Sequence, residues 1–288
     1  MSRTRLIAWA FIVPILLLHF VVKISPSVSA VYYSMTEWSG IGAAEFIGLE
    51  NFRKLLFEDR AFWQAFWHNW LWLSFSVFTF TMALLAATLL GFISKASLTF
   101  RTLLFIPYIL PSVVVAGIWR NLLNPDLGIG AQLAAIGIPG LDIAFLGIPE
   151  TSLAAVFFID NWRWWVFIML LLLAALQNIS IELYESARVD GASAWQEFWH
   201  ISLPGIRPTL MFLILMVSIW TFMVFDFVWL LTRGGPAGSS EVLNTLVMKH
   251  AFLRFDAGYA TAIGLLLSLI SSVFIVMFVI LRRRGWEI

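Results

Sequence analysis

Residues 182–208 read ELYESARVDGASAWQEFWHISLPGIRP. Charges at Glu182, Glu185, Arg188, Asp190 and Glu197 make this segment too polar to cross a membrane. On either side of it, Thr151 to Gln177 and Arg207 to Leu231 are continuous apolar runs, each longer than the roughly 20 residues that a spanning helix needs. A polar island between two such runs points to a polytopic helical membrane protein. Inside the island, Glu182 to Val189 has helix-forming composition and Asp190-Gly191 is a turn signal. Ser193 and Gln196 form a capping box that starts a second short helix, and Pro204 and Pro208 mark its end and the entry to the next span. Trp195, Phe198 and Trp199 fall at i, i+3 and i+4, so they share one face of that helix. Three uses of that face stay open: lying among lipid headgroups, folding back on neighbouring helices, or docking into the groove of a partner.

The rest of the chain agrees with a membrane class. Of 288 residues, 61% are apolar and 12% charged, and the mean hydropathy is +0.90. A soluble domain has about a quarter of its residues charged, so this composition cannot cover a globular surface. Six runs qualify as spans: Leu6 to Tyr33, Trp70 to Ile93, Leu103 to Trp119, Thr151 to Gln177, Arg207 to Leu231 and Gly258 to Leu281. None alternates with period two, which excludes barrel strands. Arg3, Arg5 and the small residues Ser27, Ser29 and Ala30 give the first run some features of a cleaved leader, but we read it as a span bent at Pro14 and Pro26, with Lys23 reaching the far interface.

Lys and Arg near helix ends set orientation. Arg3, Arg5, Lys95, Arg101 and the arginines at 282–284 place both termini and the 182–208 loop in the cytoplasm. The stretches Thr36 to Asn69, Arg120 to Glu150 and Thr232 to Ala257 then face outward. No repeat or linker divides the chain, so residues 1–288 are read as one membrane domain.

Several chemistries are missing. None of the four lysines follows a glycine, so there is no G-x-x-x-x-G-K-[ST] loop for ATP. His19, His68, His200 and His250 are scattered with no ligand at i+3 or i+4, there is no cysteine, and no G-x-S-x-G elbow occurs. We therefore expect no metal, no nucleic-acid partner and no enzyme activity in this chain.

Charged groups inside spans are costly, about 2.5–3.5 kcal/mol each at a helix centre, and usually face a cavity or a partner. The fourth span carries Asp160, Asn161 and Arg163, and the fifth carries Asp226 near its outer end. Antiparallel packing could bring them to one depth. Two readings compete: an ion pair, for which Asp160 and Arg163 have i,i+3 spacing, or a solute site in which Trp162, Trp164, Trp165, Phe167 and Trp220 supply ring faces. An arginine there is also compatible with an anionic solute.

The string Glu185-Ser186-Ala187, Asp190-Gly191-Ala192, Phe198, Ile201, Leu203-Pro204 and Pro208 resembles the EAA loop of permease subunits of ATP-binding-cassette importers. It departs from that pattern in two places, with Ser186 where Ala is usual and Ser180 where Pro often precedes. Phe46 to Phe52 (FIGLENF), Leu103 to Pro111, and Phe225-Asp226 followed by Leu231 to Pro236 (LTRGGP) resemble carbohydrate permeases of the maltose type. The resemblance implies an all-α type I importer permease fold with six spans in a bacterial cytoplasmic (inner) membrane. It also implies a heterodimer with a second permease, two ATPase subunits that bind ATP and Mg, and an extracytoplasmic solute-binding protein, together importing a sugar. ATPase coupling would fall on Glu185, Ala187, Asp190, Gly191, Phe198, Leu203 and Pro204. The sugar path would fall on Asp160, Asn161, Arg163, Trp164, Phe167, Trp220 and Asp226. The rival reading is a self-sufficient secondary transporter with an intramembrane Asp/Arg relay.

Overall fold

Apolar length decides that helices form, and local chemistry decides where they start, bend and stop. The computed structural model describes residues 3–92 and 97–284. Helix α1 (Arg3–His19) continues through a π-helical turn at Phe20–Ile24 into α2 (Ser25–Tyr33). A two-residue antiparallel hairpin, β1 (Thr36–Glu37) and β2 (Glu45–Phe46), pairs Thr36 with Phe46 and leads to α3 (Glu50–Phe57) and the long α4 (Arg60–Phe92). Next come α5 (Ser97–Ile109), α6 (Ser112–Leu122), α7 (Ile129–Ala135) and α8 (Pro149–Gln177). The loop helices α9 (Ile181–Val189) and α10 (Ala194–Glu197) pass through a second π-helical turn, Phe198–Ser202, into α11 (Leu203–Gly205). The chain ends with α12 (Arg207–Met223), α13 (Asp226–Leu231), α14 (Leu243–Met248), a π-helical turn at Lys249–Leu253, and α15 (Ala257–Arg283).

Among the described residues, five helical stretches are long and apolar enough to span a membrane, and α5 with α6 make a sixth only as a pair bent by 94°. That bend corrects the straight third span expected from Leu103 to Trp119. Pro111 lacks an N–H and pushes Leu110 out of the helical region, so α6 restarts with Pro111 (ψ 143°) as its N-cap. The second span begins at Arg60, ten residues before the expected Trp70, because the Asp59 carboxylate accepts from the Ala61 and Phe62 amides at 2.8 and 3.2 Å and caps the helix. Pro14 stays inside α1, and Pro26 lies within the same continuous helix, where its missing N–H removes a helical hydrogen bond; the irregularity between them is the π-helical turn at Phe20–Ile24. The fourth and sixth spans begin within two residues of expectation, at Pro149 and Ala257. The fifth is interrupted: Val224 (ψ 133°) and Phe225 (φ −150°) separate α12 from α13. Lys95, one of the charges behind the orientation, lies outside the described residues.

The described residues fall into two compact units, Met1–Phe62 with Leu246–Leu269 and Trp63–Thr245 with Ile270–Ile288. In the first unit, the side-chain amide of buried Asn51 donates to the Ser34 and Thr36 carbonyls at 3.0 and 2.9 Å. Buried Tyr259 donates its hydroxyl to Asp59 at 2.6 Å. The second unit holds two apolar clusters. In one, fully buried Ala83 and Ala87, one turn apart on α4, meet Met169 and Leu172 of α8 and Leu213 of α12; small residues let helix backbones approach closely where no water drives packing. The other joins Trp72, Val115, Phe157 and Phe227.

Candidate functional site

Two places in the second unit gather the residues singled out from sequence. The first is the loop of α9 and α10. Ser180 is the N-cap of α9, its hydroxyl oxygen accepting from the Glu182 amide at 3.3 Å, so the helix start is fixed by a cap where a proline would fix it by its ring. Asp190 ends α9, and Gly191 takes φ +81°, a region that costs L residues roughly 1–2 kcal/mol. No heavy atom lies within 4 Å of where a Cβ on Gly191 would sit, so the backbone angle is what calls for glycine. The capping box is present, with the Ser193 amide donating to Gln196 Oε1 at 2.8 Å.

Sequence reading missed the contact that ties these helices together. Arg188 donates through Nε and Nη2 to the two Glu197 carboxylate oxygens at 2.8 and 3.3 Å. The Glu197 side chain is only 5% exposed, and its carboxylate raises the Arg188 pKa beyond its already high value. An Arg and a Glu nine residues apart across a turn give no periodic signal.

The expected aromatic face exists: ring centroids of Trp195, Phe198 and Trp199 lie 5.5–6.2 Å apart. It lines an apolar groove of about 950 Å³, together with Phe80 and Leu84 of α4 and Leu210 and Ile214 of α12. Leu203 joins Phe198 in that lining. Ala187, Asp190 and Gly191 lie elsewhere, around a hollow of about 270 Å³ with Gln196 and His200. Glu185 and Pro204 are exposed. Five of the seven residues expected in coupling are thus split between two surfaces, and Glu185 and Pro204 line neither.

The second place is a cavity of about 210 Å³ between α4, α8 and the interrupted α12–α13 segment. Asp160, Asn161, Arg163, Trp164, Trp220 and Asp226 all line it, which brings together six of the seven expected path residues. Phe167 sits behind them, stacked on Tyr108 at 5.4 Å. The Trp164 and Trp220 rings are 4.3 Å apart. Thr79 donates its hydroxyl to Asn161 Oδ1, and the Asn161 amide donates to the Phe157 carbonyl at 3.2 Å.

The Asp160–Arg163 ion pair suggested by spacing does not form. Arg163 instead donates to Ser112 Oγ at 3.0 Å, and Ser112 donates to Asp226 Oδ2 at 3.2 Å. The bend at Pro111 puts Ser112 at the start of α6, within reach of α8. The guanidinium also lies about 6 Å from the rings of Tyr108, Trp164 and Phe227, which favours a cation. Arg163 Nε is buried with no hydrogen-bond partner among the described residues.

The interruption of α12 is itself part of the cavity, since Thr221, Val224 and Phe225 line it. Backbone carbonyls freed at a helix end inside a membrane need donors. Asn69 Nδ2 donates to the Thr221 carbonyl at 2.7 Å, and Asn244 Nδ2 to the Phe222 carbonyl at 3.2 Å. Neither asparagine was flagged by the sequence.

Residues 79–285 match the model of a family described as "Binding-protein-dependent transport system inner membrane component". The chain is 35% identical over 275 residues to "Probable ABC transporter permease protein YurN" of Bacillus subtilis, covering 94% of each chain. It is 31% identical over 278 residues to "Multiple sugar-binding transport system permease protein MsmF" of Streptococcus mutans, covering 96% and 95%. A crystal structure of a bacterial alginate ABC transporter in complex with an alginate pentasaccharide-bound periplasmic protein contains a chain of the same fold, with TM-score 0.87, 24% identity, and 99% and 96% coverage. The match over most of its length makes this chain a member of the inner-membrane permease family of binding-protein-dependent ABC importers.

Proposed function

We propose that the chain imports a sugar or sugar derivative through the cavity between α4, α8 and α12–α13. The observation that carries this reading is the convergence of carboxylate, amide and hydroxyl groups with indole faces on an interrupted helix. Sugars present hydroxyl donors around apolar C–H faces, and a few placed polar groups among aromatic rings orient such ligands. Asp160 and Asn161 would take the hydroxyls, and Trp164 and Trp220 the ring face. About 210 Å³ lies below the roughly 300–1,000 Å³ of sites for drug-sized ligands, so one sugar ring would occupy this half-site at a time. Two carboxylates face the cavity against one guanidinium, and that guanidinium already serves Ser112. This balance favours a neutral, hydroxyl-rich solute over an acidic one.

The working unit we envisage contains a second permease, two ATPase subunits carrying ATP and Mg, and an extracytoplasmic binding protein, with both termini of this chain cytoplasmic. The names of relatives support the sugar class and the binding protein. In the loop, the hollow at Ala187, Asp190 and Gly191 would receive the ATPase, while Trp195, Phe198 and Trp199 line the apolar groove beside α4 and α12. Two short helices pinned by the Arg188–Glu197 bond would pass force as one body. The relay of a secondary transporter finds less support, because Arg163 contacts neither acid directly and the family is ATP-driven.

The test is purification of the chain with its native partners, followed by ATP-dependent uptake in vesicles of maltose, lactose, diacetylchitobiose and an alginate trisaccharide. Copurification of an ATPase, with uptake of a neutral sugar that Trp220→Ala abolishes, is expected. ATP-independent uptake, or none of the four carried faster than in protein-free vesicles, would refute the reading.

A further inference from the structure

The interruption of α12 at Val224–Phe225 contains neither glycine nor proline, so the local sequence does not explain it. It is held from outside. Asn69, fully buried on α4, makes two long-range hydrogen bonds: its Nδ2 donates to the Thr221 carbonyl at 2.7 Å, and its Oδ1 accepts from the Leu243 amide at 3.0 Å. Asn244, the next residue, donates to the Phe222 carbonyl at 3.2 Å. Leu243 follows the loop Thr232 to Val242, which is fastened to the neighbouring helices: the Glu241 carbonyl lies 2.7 Å from His68 Nδ1, and the Ser239 and Ser152 hydroxyls are 2.7 Å apart. One amide thus grips the cavity wall with its donor and the loop with its acceptor.

We propose that Asn69 is a positioning residue for solute binding, setting the wall formed by Thr221, Val224 and Phe225 and coupling it to the Thr232–Val242 loop. A buried side-chain amide in this place satisfies a carbonyl that otherwise stays unpaired, which costs more than an average hydrogen bond contributes. Losing it should let the end of α12 fray into the cavity, and a displacement of the loop would reach the wall through the same amide. The proposal rests on the cavity being the solute path.

The chain has no cysteine, so a single Thr221→Cys, buried near the end of α12, can be probed with a sulfonated maleimide in the whole transporter. Ile41→Cys, on the exposed turn between β1 and β2, serves as the control position. In an Asn69→Leu background we expect Thr221→Cys to label at least fivefold faster with Ile41→Cys unchanged. We also expect the apparent KM to rise at least fivefold for the sugar carried best in the uptake panel above, with maximal uptake falling less. A merely structural role lowers the amount of assembled protein and leaves the KM of what remains unchanged. If Asn69→Leu does not assemble, Asn244→Ala, which removes only the Phe222 bond, should shift labelling about twofold in the same direction. Unchanged labelling in the assembled variant overturns the proposal and leaves the cavity reading in place. Faster labelling with an unchanged KM removes the solute from this wall, and the cavity reading and the proposal fall together.

Discussion

Gly191 allows backbone strain and partner docking to be separated in one position. With φ at +81° and no heavy atom within 4 Å of where a Cβ would sit, any L residue there pays for the dihedral angle and for no internal clash. That cost is roughly 1–2 kcal/mol for Ala, which corresponds to a factor of about 5–30 in the population of the native turn. Asn visits this region more readily, so Gly191→Asn should lose less. Gly191→Trp carries a similar backbone cost to Ala but adds an indole at the rim of the hollow formed with Ala187 and Asp190. The difference between Trp and Ala therefore reads occlusion of a docked ATPase rather than strain. We expect copurification of the ATPase to be near wild type for Asn, reduced several-fold for Ala and lost for Trp, with coupled uptake following the same order. Trp and Ala behaving alike would refute docking at this hollow, and wild-type behaviour of all three would refute a coupling role for the turn.

Reversing the bond between the loop helices, Arg188→Glu with Glu197→Arg, should restore uptake that Glu197→Ala removes; no recovery over the single variant would show that Glu197 acts through something other than Arg188. Arg163→Met should disturb the chain through Ser112 to Asp226 and reduce uptake at least tenfold with assembly preserved, whereas wild-type uptake would leave Arg163 a structural group. For topology, single cysteines at Ser193, Ile41, Asp142 and Ser239 should label with an impermeant thiol reagent from outside intact cells at the last three only, and labelling of Ser193→Cys would contradict the orientation.

Spans were legible because apolar length is a local property, visible in Pro149–Gln177 as in Arg207–Leu231. Caps and turns were legible for the same reason: Ser193 with Gln196 and Gly191 act within four residues. What the sequence concealed is long-range. Pro111 announces a break, but its 94° angle depends on packing around α5 and α6. Arg163 has an acid three residues away and chooses a serine 51 residues away. The cap on Thr221 comes from Asn69, 152 residues earlier in the chain, and asparagine at the edge of an apolar run reads like any interfacial residue. The aromatic face at Trp195, Phe198 and Trp199 was found by its spacing, yet spacing left three uses open, and only the position of α4 and α12 sets it against an apolar groove.

The central claim is that solute meets this chain between α8 and α12, and Trp220 lies on that path with its ring 4.3 Å from Trp164. The direct measurement is maleimide labelling of Val224→Cys, a nearly size-conserving change in the same cavity lining that leaves both indoles in place, in the whole transporter, with and without a saturating concentration of the sugar that the transporter carries. The account predicts labelling at least severalfold slower in the presence of that sugar, and unchanged in the presence of a sugar that is not carried. Equal labelling rates under all three conditions would contradict it.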